Sequence, residues 1–281
     1  MKKWLKRLLL FGIIVMVLGF LGSLLSRLPV GDRVAVIKVK GAIIEPDRIV
    51  SKIQKAKEDK SIKALVLRVD SPGGSVGASQ EIYRALEDFK SSGKPLVVSM
   101  GNVAASGGYY ISAPADLIFA NPGTITGSIG VIVQHTEIKD LLEKLGIRTT
   151  AIKTGKFKDT LSPFRDLTPE EKEYLQKTIE DAYEQFLQAI LKYRSKKISE
   201  QKLREIADGR VFTGRVAKEL GLVDELGNLQ DAINRAKQMA GVPEARVYYM
   251  EDGRGFIRKL MEEGFEGFGW DYPLMLYYLM R

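Results

Sequence analysis

The chain has 281 residues, 45% hydrophobic and 28% charged, with 43 Lys and Arg against 35 Asp and Glu, one histidine and no cysteine. These values exclude a disordered or collagenous chain, a disulfide scaffold, thiolate metal centres and cysteine nucleophiles. The formal charge of +8 does not signal nucleic acid, because Lys2, Lys3, Lys6 and Arg7 sit together at the start and no basic stripe interleaved with aromatics follows.

Residues from Leu8 to Leu25 carry no charge. A bilayer-crossing helix needs roughly 17–25 apolar residues, whereas the apolar part of a cleaved leader runs about 7–15. With no Ala-x-Ala site behind it, the segment is expected to be a retained anchor. Residues 1–30 then form a cytoplasmic basic flank and one transmembrane helix, which places the rest of the chain on the outer side of the cell membrane.

From Arg33 the pattern alternates. Strands are predicted over 34–39, 64–69, 96–100, 117–120 and 149–153, and helices over 47–57, 78–89, 106–112 and 137–145. Thr168-Pro169-Glu170-Glu171 is a capping box with proline at the first helical position, so a long helix is predicted from there towards Arg194. Shorter helices follow over 200–207 and 215–220. The alternation predicts an α/β domain over 31–250 with a largely parallel sheet and functional loops at the carboxyl ends of its strands. The tail, 251–281, mixes glycine with aromatics and ends in apolar residues. It could pack on a neighbour, lie on the bilayer or occupy a substrate groove.

Ala104-Ala105-Ser106-Gly107-Gly108 follows a strand-like run and precedes a helix-like one. A serine among residues this small lets another backbone approach its hydroxyl, which suits a nucleophile but equally suits a tight turn. A nucleophilic serine needs a base and donors for the oxyanion. Gly73, Gly74 and Gly107 can offer backbone N–H groups. His135 is read as a structural side chain, which leaves lysine, whose pKa must fall from about 10.4 to about 7 or 8 to act. Lys156 and Lys158 both lie in a loop, and spacing does not choose between them. Ser128, in Thr126-Gly127-Ser128-Ile129-Gly130, could orient such an amine. No cofactor or metal is expected: Gly155-Lys156 lacks the serine or threonine and the glycine spacing of a phosphate loop.

In order along the chain, Asp70-Ser71-Pro72-Gly73-Gly74, Ala104-Ala105-Ser106-Gly107-Gly108-Tyr109-Tyr110, Thr126-Gly127-Ser128-Ile129-Gly130, Lys156-Phe157-Lys158-Asp159 and Asp208-Gly209-Arg210-Val211-Phe212-Thr213-Gly214 resemble the signal peptide peptidase SppA family in its short, single-copy form. The resemblance implies a ClpP/crotonase-like fold and a Ser/Lys dyad, with Ser106 as nucleophile and Lys158 as general base. It also implies that Ser128 orients the lysine and that Gly73 and Gly107 form the oxyanion hole. Self-assembly is implied too: a homo-oligomer, such as an octamer, whose dyads are shared between subunits.

The expected activity is therefore a membrane-anchored serine endopeptidase that degrades cleaved signal peptides and other unfolded segments. Its partners would be peptides, the membrane and further copies of itself. Two rival readings are a crotonase-type acyl-CoA enzyme and a non-catalytic membrane scaffold.

Overall fold

The computed structural model describes residues 11–18 and 31–251, together with the backbone of 277–279. Most of the expected anchor, and most of the tail, lie outside the described residues. Residues 11–18 are α-helical with exposed side chains, and no described helix is long and apolar enough to cross a membrane.

The alternating segment folds as alternating elements. β1 (Arg33–Lys40) and β2 (Ile62–Ser71) pair in parallel and are joined by α1 (Asp47–Glu58). A short β3 (Gly73–Ser75) leads into α2 (Val76–Lys90), and β4 (Leu96–Ala105) returns parallel to β2. α3 (Gly107–Ser112), β5 (Leu117–Ala120) and β6 (Ile125–Gly127) follow. β4 is long enough to hold two neighbours on one edge: its first half pairs with β5 through Val97, Val98 and Ser99, its second with β6 through Val103, Ala104 and Ala105.

Beyond β6 come α4 (Lys139–Lys144), α5 (Pro169–Arg194), α6 (Glu200–Ile206), β7 (Val211–Thr213), α7 (Gly214–Glu219), β8 (Glu225–Leu226), α8 (Leu229–Met239) and β9 (Arg246–Tyr249). Among the described residues the main sheet has eight strands, in the order β7-β6-β4-β2-β1-β9, with β5 pairing β4 off this path and β8 pairing β5. β7 runs antiparallel to β6, so the sheet is mixed rather than wholly parallel. β10 (Tyr277–Leu279) forms a separate antiparallel pair with β3.

Side-chain alternation divides the core between the two faces of the sheet. Ala35, Ile37, Val39, Leu65, Leu67, Val69, Val98 and Met100 face Ile82, Leu86 and Phe89 of α2, Tyr109 of α3 and Phe186 and Ile190 of α5. Val34, Val36, Ala64, Val66 and Val97 face Ala232, Ile233 and Ala236 of α8. Strands covered on both faces read as unbroken apolar runs, which is why β1, β2 and β4 are visible in sequence.

Two predicted elements differ. The helix expected over 137–145 shrinks to α4, and the strand expected over 149–153 does not form. Thr149, Thr150 and Ile152 have strand-like chemistry, but every residue from 143 to 158 is exposed and Ile152 is 100% accessible. Strand propensity expresses itself against a partner surface, and this segment has none among the described residues.

Candidate active site

The carboxyl ends of β2, β4 and β6 meet at one rim of the sheet. Ala105 of β4 and Gly127 of β6 are register partners, and each is followed at once by a serine, Ser106 and Ser128. Neighbouring strands lie about 4.8 Å apart, so the register itself brings the two serines side by side. The Ser106 N–H donates to the Gly127 carbonyl at 2.8 Å, and the Ser128 N–H donates to the Arg210 carbonyl at 2.8 Å.

Both serines adopt positive φ, 54° for Ser106 and 50° for Ser128. A non-glycine residue held there costs on the order of 1–3 kcal/mol, and such strain gathers at functional sites. At Ser106 (ψ −118°) it turns the chain sharply from β4 into α3. The residue is 1% exposed, and its Oγ has no hydrogen-bond partner among the described residues. A buried hydroxyl without a partner costs roughly 1–3 kcal/mol. Among the described residues, nothing offsets that cost by hydrogen-bonding to the hydroxyl.

Close backbone approach explains the glycines. A Cβ on Gly107 would lie 3.2 Å from the Gly74 nitrogen and 3.3 Å from the Gly73 Cα, so α3 begins directly against β3. A Cβ on Gly74 would sit 2.1 Å from the Ile43 carbonyl oxygen, while the Ile43 N–H donates to the Gly73 carbonyl and the Ser75 N–H to the Ile43 carbonyl, both at 2.8 Å. One edge of β3 is thus stitched to Ile43. Its other edge carries β10, with Leu279 opposite Gly73, Tyr278 opposite Gly74 and Tyr277 opposite Ser75. The Gly73 N–H donates to Ser71 Oγ at 3.1 Å, so an incoming oxyanion must compete with that neutral hydroxyl for it.

In sequence Asp70 stands out only as part of a motif, and the structure gives it a task. The register of β2 on β4 shifts between Val69 and Ser71. Asp70 Oδ1 bridges the irregularity by accepting from the Asn102 and Val103 N–H groups, each at 3.1 Å. Thr124 and Thr126 tie the neighbouring turns to the Gly101 and Ala104 carbonyls at 2.7 and 2.6 Å. These bonds set the path of the last residues before Ser106.

The two lysines left open by spacing differ in surroundings. Lys156 forms an ion pair with Glu170. Lys158 is exposed, has no ion pair or side-chain hydrogen bond among the described residues, and lines a cavity of about 510 Å³ with Ser75, Val76, Phe157, Leu161 and Tyr174. That cavity adjoins β3 through Ser75. Ser106 and Lys158 are not hydrogen-bonded within one chain, since the Ser106 hydroxyl is unpartnered. His135 is half-buried with its Nε2 unpartnered, on the segment leading to α4. Among the described residues no group of three or more His, Asp or Glu side chains converges as a metal site.

The profile of peptidase family S49 matches residues 88–243, and that of Clp protease matches residues 35–124. A Synechocystis sp. protein named as a protease is 45% identical over 231 residues, which cover 81% of this chain and 82% of that one. Protease 4 of Salmonella typhi is 38% identical over 249 residues, 85% of this chain but 40% of its own length. Serine protease SPPA, chloroplastic, of Arabidopsis thaliana is 38% identical over 226 residues, 75% of this chain and 33% of that protein. The chain thus spans well under half of the last two. Among solved structures, a point mutant of 1510-N, a membrane-bound stomatin-specific protease, superposes with a TM-score of 0.52 at 17% identity, covering 80% of this chain and all of that one, a likeness of fold.

Proposed function

The chain belongs to peptidase family S49 and is a serine protease with a ClpP-like α/β fold, and from that premise we propose that it is a membrane-anchored endopeptidase in which Ser106 is the nucleophile and Lys158 the general base. The observation that carries this reading is the strained, buried Ser106 with its unpartnered hydroxyl, set against the backbone of Gly73, Gly74 and Gly107.

In this mechanism the Lys158 amine takes the Ser106 proton as Oγ attacks the peptide carbonyl carbon. The oxyanion that forms is met by the Gly73 and Gly107 N–H groups. Collapse breaks the C–N bond, the Lys158 ammonium gives its proton to the leaving amine, and an ester on Ser106 remains. Water, deprotonated by the same lysine, hydrolyses that ester and returns Ser106 to its starting state. Ser128, beside Ser106 on the next strand, orients the amine.

A lysine amine serves as a base only when withdrawn from water. Lys158 is exposed, and Ser106 Oγ lacks a hydrogen-bond partner among the described residues. Packing of a second copy would answer both needs, so the dyad is assigned to neighbouring subunits of a homo-oligomer. The uncharged segment from Leu8 to Leu25 is assigned as the anchor, with the protease domain over 31–250 on the outer side of the cell membrane. Cleaved signal peptides are the proposed substrates, being short, apolar and available at that surface.

A serine-directed fluorophosphonate, which forms an O–P bond to the attacking hydroxyl as fluoride leaves, tests the nucleophile. The expected result is a single adduct on Ser106, lost in Ser106→Ala; labelling elsewhere with hydrolysis intact overturns the assignment and revives the scaffold reading for this rim.

Peptide substrates are proposed to bind extended, adding a strand to β3 as β10 does. The tail then competes with them. If it occupies the edge nine-tenths of the time, apparent affinity falls about tenfold. Deleting residues 269–281 is expected to raise kcat/KM for a short peptide by about that factor. An unchanged value removes the tail from the substrate path.

A further inference from the structure

Lys158 sits in a run of turns from 155 to 162, a kind of backbone that does not by itself hold a side chain in one place. Its local backbone bonds are long: the Lys158 N–H donates to the Gly155 carbonyl and the Thr160 N–H to the Phe157 carbonyl, both at 3.2 Å. What fixes the turn is a set of side chains on either side of the lysine.

Asp159, the next residue, is held by Arg165. The guanidinium donates from Nε to Asp159 Oδ2 at 2.9 Å, from one terminal nitrogen to Oδ1 at 2.7 Å and to the Asp159 carbonyl at 3.1 Å. Its opposite edge grips Glu171, with Nη1 donating to Oε2 at 2.9 Å and Nη2 donating to Oε1. Glu171 is 2% exposed and is the capping-box residue of α5: it accepts from the Thr168 N–H at 3.0 Å and from the Thr160 hydroxyl at 3.1 Å. On the other side of Lys158, Phe157 stacks on Tyr174 of α5, ring centroids 5.2 Å apart. Lys153 adds an ion pair to Asp159. The arginine and its hydrogen bonds hold the Asp159 and Glu171 carboxyls well below the usual carboxylate range, so both stay ionised.

Resting on the assignment of Lys158 as base, we propose that Arg165 is a positioning residue for catalysis: by clamping Asp159 to Glu171 it fixes the turn that presents Lys158 onto the first turn of α5. The planar fork is what the task needs, since it reaches two carboxylates and a carbonyl at once, which a lysine ammonium cannot do with fixed geometry. Arg165 itself touches no reacting atom. Its contribution is orientation, and displacement of a catalytic group by about 1 Å costs on the order of a hundredfold.

The test is steady-state peptide hydrolysis by the full-length protein carrying R165A, R165K, D159N, K158A, or R165A with K158A. R165A is expected to lower kcat about 10–100-fold while KM stays within about twofold. R165K restores charge without the fork and is expected to recover little of that loss. D159N is expected to lower kcat in the same direction, and R165A added to K158A is expected to cost nothing further, because both act through one group. Wild-type kcat in R165A while K158A is inactive overturns the clamp and leaves the dyad standing. Full activity in K158A overturns the dyad and the clamp with it. Should R165A fail to fold or assemble, R165K and D159N decide: unchanged kcat in both overturns the proposal.

Discussion

Replacing Ser106 by alanine is expected to reduce peptide hydrolysis by at least about ten-thousandfold, and Lys158→Ala to do nearly the same, because a nucleophile and its base act as one unit. The revealing experiment is to mix them. In Ser106→Ala subunits the lysine is intact, and in Lys158→Ala subunits the serine is intact. If each site joins Ser106 of one subunit to Lys158 of the next, random co-assembly regenerates about one complete site in four. If both come from one chain, mixing regenerates none. The unpartnered Ser106 hydroxyl and the exposed Lys158 favour the first outcome. Measuring hydrolysis after dissociating and reassembling the two variants in detergent decides it. Full activity in either variant alone removes that residue from the mechanism.

The crotonase-type reading predicts a different dependence. A site that only polarises a thioester through backbone N–H groups would survive Ser106→Ala, provided the Gly107 and Gly73 backbone kept its place. The strained φ of Ser106 argues against it, since a residue that only filled space beside the glycines would have no reason to bear that cost.

What can be read from the sequence follows from where the governing forces lie. β1, β2 and β4 announce themselves because their residues are buried on both faces, and α5 because Thr168 and Glu171 cap it locally. β3 is invisible in sequence: Gly73-Gly74-Ser75 has no strand propensity, and it is extended only because Ile43 and β10 supply backbone partners from distant parts of the chain. The same reason hides the antiparallel β7 and misplaces a strand at 149–153. At the rim, the small residues around Ser106 mark a place of close approach, and the structure supplies the approaching segment, β3. Arg165 escapes notice because one arginine among 43 basic residues has no distinguishing sequence signal. Its meaning comes from two carboxylates six positions away on either side, one of them buried by the helix it caps.

The largest effect on stability is expected at Asp224. Its carboxylate accepts from Arg194 at 2.8 and 3.1 Å and from the Ile118 N–H at 2.8 Å, and Lys197 adds an ion pair. Arg194 and Asp224 side chains are 1% and 5% exposed. Asp224→Ala leaves a buried guanidinium without its counter-ion and a strand N–H without an acceptor, a loss of about 3–5 kcal/mol. At roughly 2–4 °C per kcal/mol for a chain of this size, the melting temperature should fall by about 10 °C. Arg194→Met with Asp224→Asn removes both charges while keeping an acceptor for Ile118, and should recover most of that loss, since buried pairs exchange for apolar packing at little net cost. The damage should also reach the site. Arg194 donates to the Gly221 carbonyl at 2.8 Å, and the adjacent Leu222 carbonyl accepts from the Tyr109 hydroxyl at 2.9 Å, three residues beyond Ser106 on α3. Loosening this knot frees α3 to shift, so Asp224→Ala should lower the rate of Ser106 acylation even at temperatures where the protein remains folded. A melting temperature within about 2 °C of the parent would show that the pair contributes no more than an exposed one, about 0–1 kcal/mol.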